Sequence, residues 1–168
     1  QFTANTMACV SEAIGLALPG SAGAPAPYES RDSFCEQSGQ QVMNLLKKGI
    51  RPRDIVTRKA LENAAVVVAA TGGSTNAALH LPAIASECGI KFDLFDVAQI
   101  FKKTPYIADL KPGGKYVAMD LYRVGGIVLL ESAHPYLDGR EDVQSYTLPG
   151  NPAAILVIFD DATELEAG

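Results

Sequence analysis

The residues best suited to bind a small anion lie in one loop near the middle of the chain. Residues 71–76 read Thr-Gly-Gly-Ser-Thr-Asn and separate two apolar stretches. The start of a helix presents free backbone N–H groups and the positive end of the helix dipole, which favour a carboxylate. Glycines let the backbone approach such a ligand, and short polar side chains can donate hydrogen bonds to it. The pattern therefore predicts a binding site formed by Thr71, Gly72, Gly73, Ser74, Thr75 and Asn76.

A simpler interpretation explains the same residues without a ligand. Ser74 or Thr75 could serve only as the N-cap of the following helix, because a short hydroxyl side chain often accepts from the first free amides of a helix. The two glycines could serve only to turn the chain. The pattern by itself leaves both interpretations open.

Other groups with catalytic potential carry weaker signals. Residues 111–115 read Lys-Pro-Gly-Gly-Lys, but they lack the spacing of a phosphate-binding loop, and Tyr116 stands where Ser or Thr is required. We therefore interpret residues 111–114 as a turn before a short helix over about 116–123. His80 and His134 each lack a second histidine or cysteine at ligand spacing, which favours structural or surface roles.

The cysteines do not form a recognisable metal-binding pattern. Cys9, Cys35 and Cys88 are odd in number and widely separated, with no Cys-x-x-Cys pair. Free cysteines are commonly buried as small apolar side chains. We interpret all three as reduced thiols and predict no metal site made by this chain.

Helical periodicity predicts the elements that hold the glycine loop. Apolar residues recur at spacings of three and four across residues 5–18, 33–48, 77–87 and 93–103, so each stretch is predicted to form an amphipathic helix. Residues 58–70 contain an unbroken run of alanine and valine, which predicts a helix buried on nearly all sides. A buried strand over the second half of that run stays open. In either case the loop follows a buried element and precedes a helix.

Three of these helices carry more detailed predictions. The first is predicted to be capped by Thr3 or Asn5 and to run to Leu18, before Pro19. In the second, Ser33 and Glu36 have the spacing of a capping box. The second helix is predicted to bury a stripe of Phe34, Val42, Leu45 and Leu46. The helix over 93–103 is predicted to bury Leu94, Val97, Ile100 and Phe101.

The composition changes after Gly126. Short apolar runs at residues 127–130 and 153–159 are separated by prolines and glycines, which is typical of strands and turns. The predicted fold class is therefore α/β, with a helix-rich unit over residues 1–126 and a β-containing tail over residues 127–168.

Overall composition excludes several classes of protein. The chain has 168 residues, of which 48% are apolar and 20% charged, as expected of a folded domain. A net charge of −5 without a basic cluster argues against nucleic acid or an anionic membrane as a partner. The apolar runs are far shorter than the roughly 20 residues that span a bilayer. We expect a cytoplasmic protein, or an organellar one if the source is eukaryotic.

Three blocks of sequence carry a resemblance to a known family. They are Phe-Thr-Ala-Asn-Thr-Met at residues 2–7, Ala-Thr-Gly-Gly-Ser-Thr-Asn-Ala at 70–77, and Ala-Asp-Leu-Lys-Pro-Gly-Gly-Lys-Tyr at 108–116. Together they resemble the dihydroxy-acid dehydratases, whose wider family includes sugar-acid and phosphogluconate dehydratases. The likeness extends from Gln1 to about Gly126.

The resemblance implies a fold, an activity and cofactors. It implies part of a three-layer N-terminal domain in a homodimeric hydro-lyase that converts 2,3-dihydroxy-3-methyl acids to 2-oxo acids in valine and isoleucine synthesis. In that family Mg²⁺ holds the substrate carboxylate, a base removes the C2 proton, and an Fe–S cluster assists departure of the C3 hydroxyl. The resemblance places loop 71–76 on the side of the dihydroxy-acid substrate.

The same resemblance implies that this chain is a piece of a longer protein. In the family, the segment matching residues 1–7 follows a Gly-Ala-Cys-Gly-Gly stretch that binds the cluster. The other ligands of the cluster and of Mg²⁺ lie further upstream, and the proposed base lies in the C-terminal domain. None has a matching position here, so we expect the isolated chain to hold no cluster and to be inactive.

Two alternatives stay open. The longer protein could be a sugar-acid dehydratase of the same family, or the chain could be a non-catalytic fragment that associates with another subunit. The tail over 127–168 aligns poorly with the family and is a candidate for part of the C-terminal domain.

Overall fold

The structure is a computed structural model that describes residues 1–127 and the backbone of residues 143–147 and 155–159. Helices dominate the described part of the chain. Strands β1 (Val143–Thr147) and β2 (Ile155–Phe159) pair antiparallel, with Val143 opposite Phe159. None of the described helices is both long and apolar enough to cross a bilayer. The helices within residues 1–127 are α1 (Thr3–Ile14), α2 (Ser30–Lys48), α3 (Pro52–Ile55), α4 (Arg58–Thr71), α5 (Ala77–Glu87), α6 (Leu94–Lys103) and α7 (Ala118–Arg123).

The predicted helix-rich character of the first unit is confirmed. Residues 1–127 contain an isolated bridge between Leu110 and Tyr116 but no strand. Most of the predicted tail, His134 included, lies outside the described residues. The boundary at residue 126 therefore stays a prediction.

Helix α4 forms the centre of the core. Its many alanine side chains are small, so neighbouring helices can pack closely against several of its sides. The Thr57 hydroxyl caps it by accepting from the amide of Ala60, and Gly72 ends it in the left-handed conformation. This confirms the predicted buried helix and excludes the alternative strand. Buried side chains of α1, α4, α5 and α6 share one cluster, which includes Val10, Ile14, Leu61, Ala64, Val68, Leu81, Ala85 and Val97.

Helix α1 differs from the prediction at both ends. Phe2 rather than Thr3 or Asn5 is the N-cap residue, and no side chain caps the helix. The helix ends at Ile14 because Gly15 adopts a left-handed conformation at φ 91°, so Leu18 lies in the following loop. The apolar spacing continues beyond Gly15, but the backbone leaves the helical conformation at that residue.

The prediction for α2 was wrong in two respects. The helix begins at Ser30, three residues before the predicted capping box, and Ser33 accepts a hydrogen bond from Gln37 instead. None of its residues is buried, and Val42 and Leu46 of the predicted stripe are exposed. Phe34 and Leu45 are half-buried, so the described chain covers only part of the predicted stripe. Leu94 of α6 was likewise predicted to be buried and is exposed.

Arg58 at the start of α4 connects this helix to α6. Its guanidinium donates to Glu62 Oε1 at 3.1 Å and to Asp96 Oδ1 at 2.8 Å. It also donates to the carbonyl oxygen of Lys91 and lies 5.3 Å from the centre of the Phe92 ring. The hydrogen bonds from Arg58 lower the pKa of the Asp96 carboxyl from its ordinary value. Asp96 therefore favours the folded state only where it is ionised.

We expect Arg58→Met to lower the melting temperature at pH 7 by a few degrees, because α6 loses its ionic connection to α4. A depressed carboxyl pKa stabilises the fold above the unfolded value of 3.8 and ceases to do so as pH falls through the folded value. The difference from wild type should therefore shrink in thermal melts recorded near pH 3.

Arg51→Met is the matched control, because Arg51 pairs with Asp54 three residues along the same short segment and joins no two long helices. It should change the melting temperature much less. A deficit of Arg58→Met that is equal at both pH values would assign the effect to packing on Phe92 instead of charge.

Candidate functional site

The glycine loop predicted from the sequence connects the buried helix α4 to α5. Gly72 follows α4 with φ at 61°, a conformation in which a side chain is strained, and a Cβ there would lie 2.6 Å from a ring carbon of Tyr106. Helix α5 begins at Ala77. Residues 72–76 thus form a short connection whose first position requires glycine.

Hydrogen bonds connect the loop to the N-terminal end of α1. The Thr6 hydroxyl accepts from the Ser74 amide at 3.0 Å and donates to the Phe2 carbonyl at 2.9 Å. The hydroxyls of Thr3 and Ser74 lie 3.0 Å apart, and the Asn76 side-chain amide donates to the Thr3 hydroxyl at 2.7 Å. These bonds join segments about 70 residues apart in the chain.

Close packing also holds the loop against α1. A Cβ at Gly73 would lie 2.9 Å from the Thr6 methyl carbon and 3.0 Å from a methyl carbon of Val68. The backbone nitrogen of Gln1 donates to the Gly72 carbonyl at 2.7 Å. Gly73 therefore serves the approach of the loop to α1 and α4, and its position is fixed from both sides.

The six predicted site residues do not all face the same way. Thr71 is buried, and its hydroxyl donates to the Val67 carbonyl of its own helix at 2.8 Å. Ser74 is half-buried, while Thr75 and Asn76 are exposed. The structure thus brings Ser74 and Asn76 together with Thr3 and Thr6, and turns the Thr71 hydroxyl away from them.

Most backbone amides at this helix start are already occupied. Those of Ala77, Ala78 and Leu79 donate to the carbonyls of residues 74, 75 and 76 at 3.0 to 3.1 Å. Asn76 is the N-cap residue and its own side chain does not cap the helix. Ser74 Oγ accepts from the Asn76 amide at 3.3 Å, which is the kind of hydrogen bond that the simpler interpretation expects of a hydroxyl before a helix. Among the backbone amides of residues 72–76, that of Thr75 alone has no hydrogen-bond acceptor in the described part of the chain. A ligand here would meet mainly side-chain donors.

Thr3 and Thr6 contact the loop, and the sequence pattern did not predict either of them as a site residue. Thr3 was predicted as a helix cap, and Thr6 appeared only within a block of family likeness. Their side chains lie on α1 at a spacing of three, which places them on one face of the helix. That spacing is the one local signal that could have pointed to them.

Exposed apolar side chains lie on the segments that carry these polar groups. Phe2 is 75% exposed at the start of α1, Leu79 is 70% exposed in the first turn of α5, and Tyr106 is 50% exposed beside Gly72. Exposed apolar side chains mark an interaction or ligand-binding surface when they form a contiguous patch. Of these three, Tyr106 is the one placed directly against the loop, at Gly72.

The described residues do not fit an Fe–S cluster. Burial raises the pKa of the Cys9 thiol to about 12, and this thiol donates to the Gln1 side-chain carbonyl at 3.7 Å. Cluster binding needs several thiolates, whereas Cys9 stays protonated at neutral pH. Cys35 is exposed and Cys88 half-buried, and residues 1–127 contain no group of three or more His, Cys, Asp or Glu placed to hold a metal ion.

Comparison with known proteins identifies the family. The sequence model described as the N-terminal region of dihydroxy-acid/6-phosphogluconate dehydratases matches residues 1–138. The chain belongs to this dehydratase family. The matched region contains α1 to α7, the glycine loop and both threonines of α1, so the predicted family resemblance is confirmed.

Individual dehydratases are highly similar to the chain over the same part. It is 81% identical over 130 residues to dihydroxy-acid dehydratase 2 of Bradyrhizobium diazoefficiens, covering 77% of this chain and 23% of that enzyme. It is 78% identical over 130 residues to the dihydroxy-acid dehydratase of Pelagibacter ubique, with the same coverage. Dihydroxy-acid dehydratase 2 of Mesorhizobium japonicum is 73% identical over 142 residues, covering 83% of this chain and 24% of that protein. The chain thus spans about a quarter of the length of these relatives.

Proposed function

We propose that this chain supplies part of the N-terminal domain of a dihydroxy-acid dehydratase, a hydro-lyase that forms 2-oxo acids from 2,3-dihydroxy-3-methyl acids. The observation that carries this proposal is the 81% identity over 130 residues to an enzyme of that name. The matched length includes the loop and α1, the segments whose polar groups meet in the structure. The three-layer α/β domain, the homodimer and the cytoplasmic location implied by the family belong to the same proposal.

Within that enzyme, we assign the site formed by Thr3, Ser74, Thr75 and Asn76 to substrate positioning. A dihydroxy acid presents one carboxylate and two hydroxyls, and the site offers hydroxyl and amide groups that can donate to such oxygens. These neutral donors keep their charge state across the physiological pH range, so they can orient the substrate without joining its proton transfers. Fixed orientation of this kind is a large part of enzymatic rate enhancement.

The Fe–S cluster and Mg²⁺ of the family would supply Lewis-acid chemistry to the complete enzyme. The described residues do not assemble a site for either group. The role proposed for residues 1–127 is to bind and orient the substrate and to hold the loop against α1.

A chimera tests the proposal directly. The matching segment of the Bradyrhizobium enzyme is replaced by that of this chain, and the purified protein is assayed with 2,3-dihydroxyisovalerate. We expect turnover close to that of the parent enzyme. In the same chimera, Asn76→Asp places a negative charge beside an anionic substrate and should raise KM roughly tenfold or more.

Asn44→Asp is the control, because the same substitution falls on an exposed position of α2 away from the loop. It should leave KM unchanged. A chimera that dehydrates a sugar acid but not the branched dihydroxy acid would transfer the assignment to a sugar-acid dehydratase. Equal effects of the two Asn→Asp substitutions would remove the loop from the substrate site.

The association role left open by the sequence is favoured by a separate observation, which is the uncovered apolar face of α2. It does not compete with the enzymatic proposal, since one chain can contribute to both a domain and an interface.

A further inference from the structure

Thr6 is a fully buried polar residue near the start of α1. It is 1% exposed, and Thr71 at the end of α4 is equally buried. A buried hydroxyl needs hydrogen-bond partners, because it gives up those that water would provide. The Thr71 hydroxyl donates within its own helix. Thr6 does the same with the Phe2 carbonyl, but its oxygen also accepts from the Ser74 amide, so it connects α1 to the glycine loop.

The number of protons on the Thr6 hydroxyl fixes the direction of both hydrogen bonds. Its single proton goes to the Phe2 carbonyl at 2.9 Å, so the oxygen accepts from the Ser74 amide at 3.0 Å. The Phe2 carbonyl also accepts from the Thr6 amide at 3.0 Å and keeps that partner without the hydroxyl. The Ser74 amide has no second acceptor in the described part of the chain. Removal of the hydroxyl therefore leaves the loop amide unpaired.

The methyl group of Thr6 has a separate role. A Cβ at Gly73 would lie 2.9 Å from this methyl carbon, so the loop backbone packs directly against it. Valine at position 6 keeps the methyl group and the shape of the side chain but has no hydroxyl. Serine keeps the hydroxyl but has no methyl group. The two substitutions thus separate hydrogen bonding from packing at one position.

We propose that Thr6 is a positioning residue for the dehydration, an inference that rests on the proposed function of the loop. Its hydroxyl holds the backbone of Ser74 against α1. Thr3, three residues earlier on the same helix, then meets the Ser74 hydroxyl at 3.0 Å and the Asn76 side-chain amide at 2.7 Å. Because Thr6 is buried, it acts on the substrate only through these exposed donors. Their alignment depends on a hydrogen bond that the substrate never meets.

Amide hydrogen exchange in the 168-residue chain tests the hydrogen bond itself. Thr6→Val should raise the exchange rate of the Ser74 amide at least about tenfold, because that amide loses its buried acceptor. The Gly73 amide is an internal reference, since it donates to the Val68 carbonyl at 2.8 Å and should keep its rate. Thr6→Ser should leave both rates close to those of wild type.

The Bradyrhizobium chimera tests the role of Thr6 in the reaction. Thr6→Val should lower kcat roughly tenfold and change KM less than about twofold, because the donors remain present but lose their alignment in the transition state. Thr6→Ser should keep kcat within about threefold of the unsubstituted chimera. Thr104→Val is the matched control, because the Thr104 hydroxyl also donates to the carbonyl four residues earlier, at 2.9 Å, but lies at the end of α6. It should change neither constant.

A purely structural Thr6 predicts the opposite order of the two variants. Thr6→Ser, which loses the packing on Gly73, would then have the lower kcat, and Thr6→Val would be active. A low kcat of Thr6→Ser overturns the proposal whether or not Thr6→Val folds. An unchanged exchange rate of the Ser74 amide in Thr6→Val, shown to be folded by circular dichroism, also overturns it.

Failure of the proposed function has a different signature. In that case Asn76→Asp leaves KM unchanged and Thr6→Val leaves kcat unchanged, although the Ser74 amide still exchanges faster. If Asn76→Asp raises KM while Thr6→Val keeps full kcat, the loop stays in the substrate site and only the positioning role of Thr6 is lost.

Discussion

Replacing Glu12 with alanine is expected to lower the free energy of unfolding by roughly 2–4 kcal/mol. The Glu12 side chain is buried on α1, and its carboxylate oxygens accept from the amides of Gly20 and Ala22 at 2.8 and 2.9 Å. Alanine leaves two partly buried N–H groups without acceptors, and each such loss typically costs about 1–3 kcal/mol. Urea denaturation of the 168-residue chain measures the change.

Glu12→Gln separates hydrogen bonding from side-chain size. The amide of glutamine keeps one acceptor oxygen and the length of the side chain, so the loss should be about half that of Glu12→Ala. Glu36→Ala, at an exposed position of α2, controls for the removal of a carboxylate and should be nearly neutral. Equal stability of Glu12→Ala and Glu36→Ala would show that the loop after α1 does not depend on this carboxylate.

Gly73→Val should lower the free energy of unfolding by about 3 kcal/mol, at the upper end of the usual cost of overpacking. The first added carbon already lies within 3.2 Å of the Val68 carbonyl oxygen and closer still to methyl carbons of Thr6 and Val68. The backbone oxygen belongs to the buried helix α4 and cannot move at low cost, so the loop must move away from both α4 and α1. Thermal and urea denaturation measure the cost.

The same substitution in the Bradyrhizobium chimera should reduce kcat/KM by about a hundredfold, because displacement of a positioning loop by about 1 Å has that effect. Gly113→Val is the matched control, since no atom lies within 4 Å of a Cβ at that exposed position. Normal turnover by the Gly73→Val chimera would show that the position of the loop does not matter to the reaction.

Local signals predicted three of the helices closely, because such signals act within one or two turns. Helices α4, α5 and α6 begin and end within one residue of the predicted bounds. Residues next to each boundary determine where these helices begin and end. The Thr57 hydroxyl accepts at the start of α4, the Asp93 carboxylate accepts two amides at the start of α6, and Gly72 adopts the conformation that ends α4.

The same kind of signal failed where a distant segment decides the result. The apolar spacing of α1 runs on to Leu18, but the helix ends at Gly15, and the loop beyond it returns to the Glu12 carboxylate. Leu94 has the spacing of a core residue of α6 and is exposed. Periodicity reports which side of a helix is apolar and carries no information on what lies opposite that side.

The family, the order of the main helices and the polar glycine loop between two of them follow from the residues alone. Long-range packing determines that this loop meets Thr3 and Thr6, that the Thr71 hydroxyl donates within its own helix, and that no residue of α2 is buried. The physical reason is the range of the interactions. Helix formation depends on residues within about four positions, whereas the hydrogen bonds of the site depend on how α1 packs against α4 about 60 residues away.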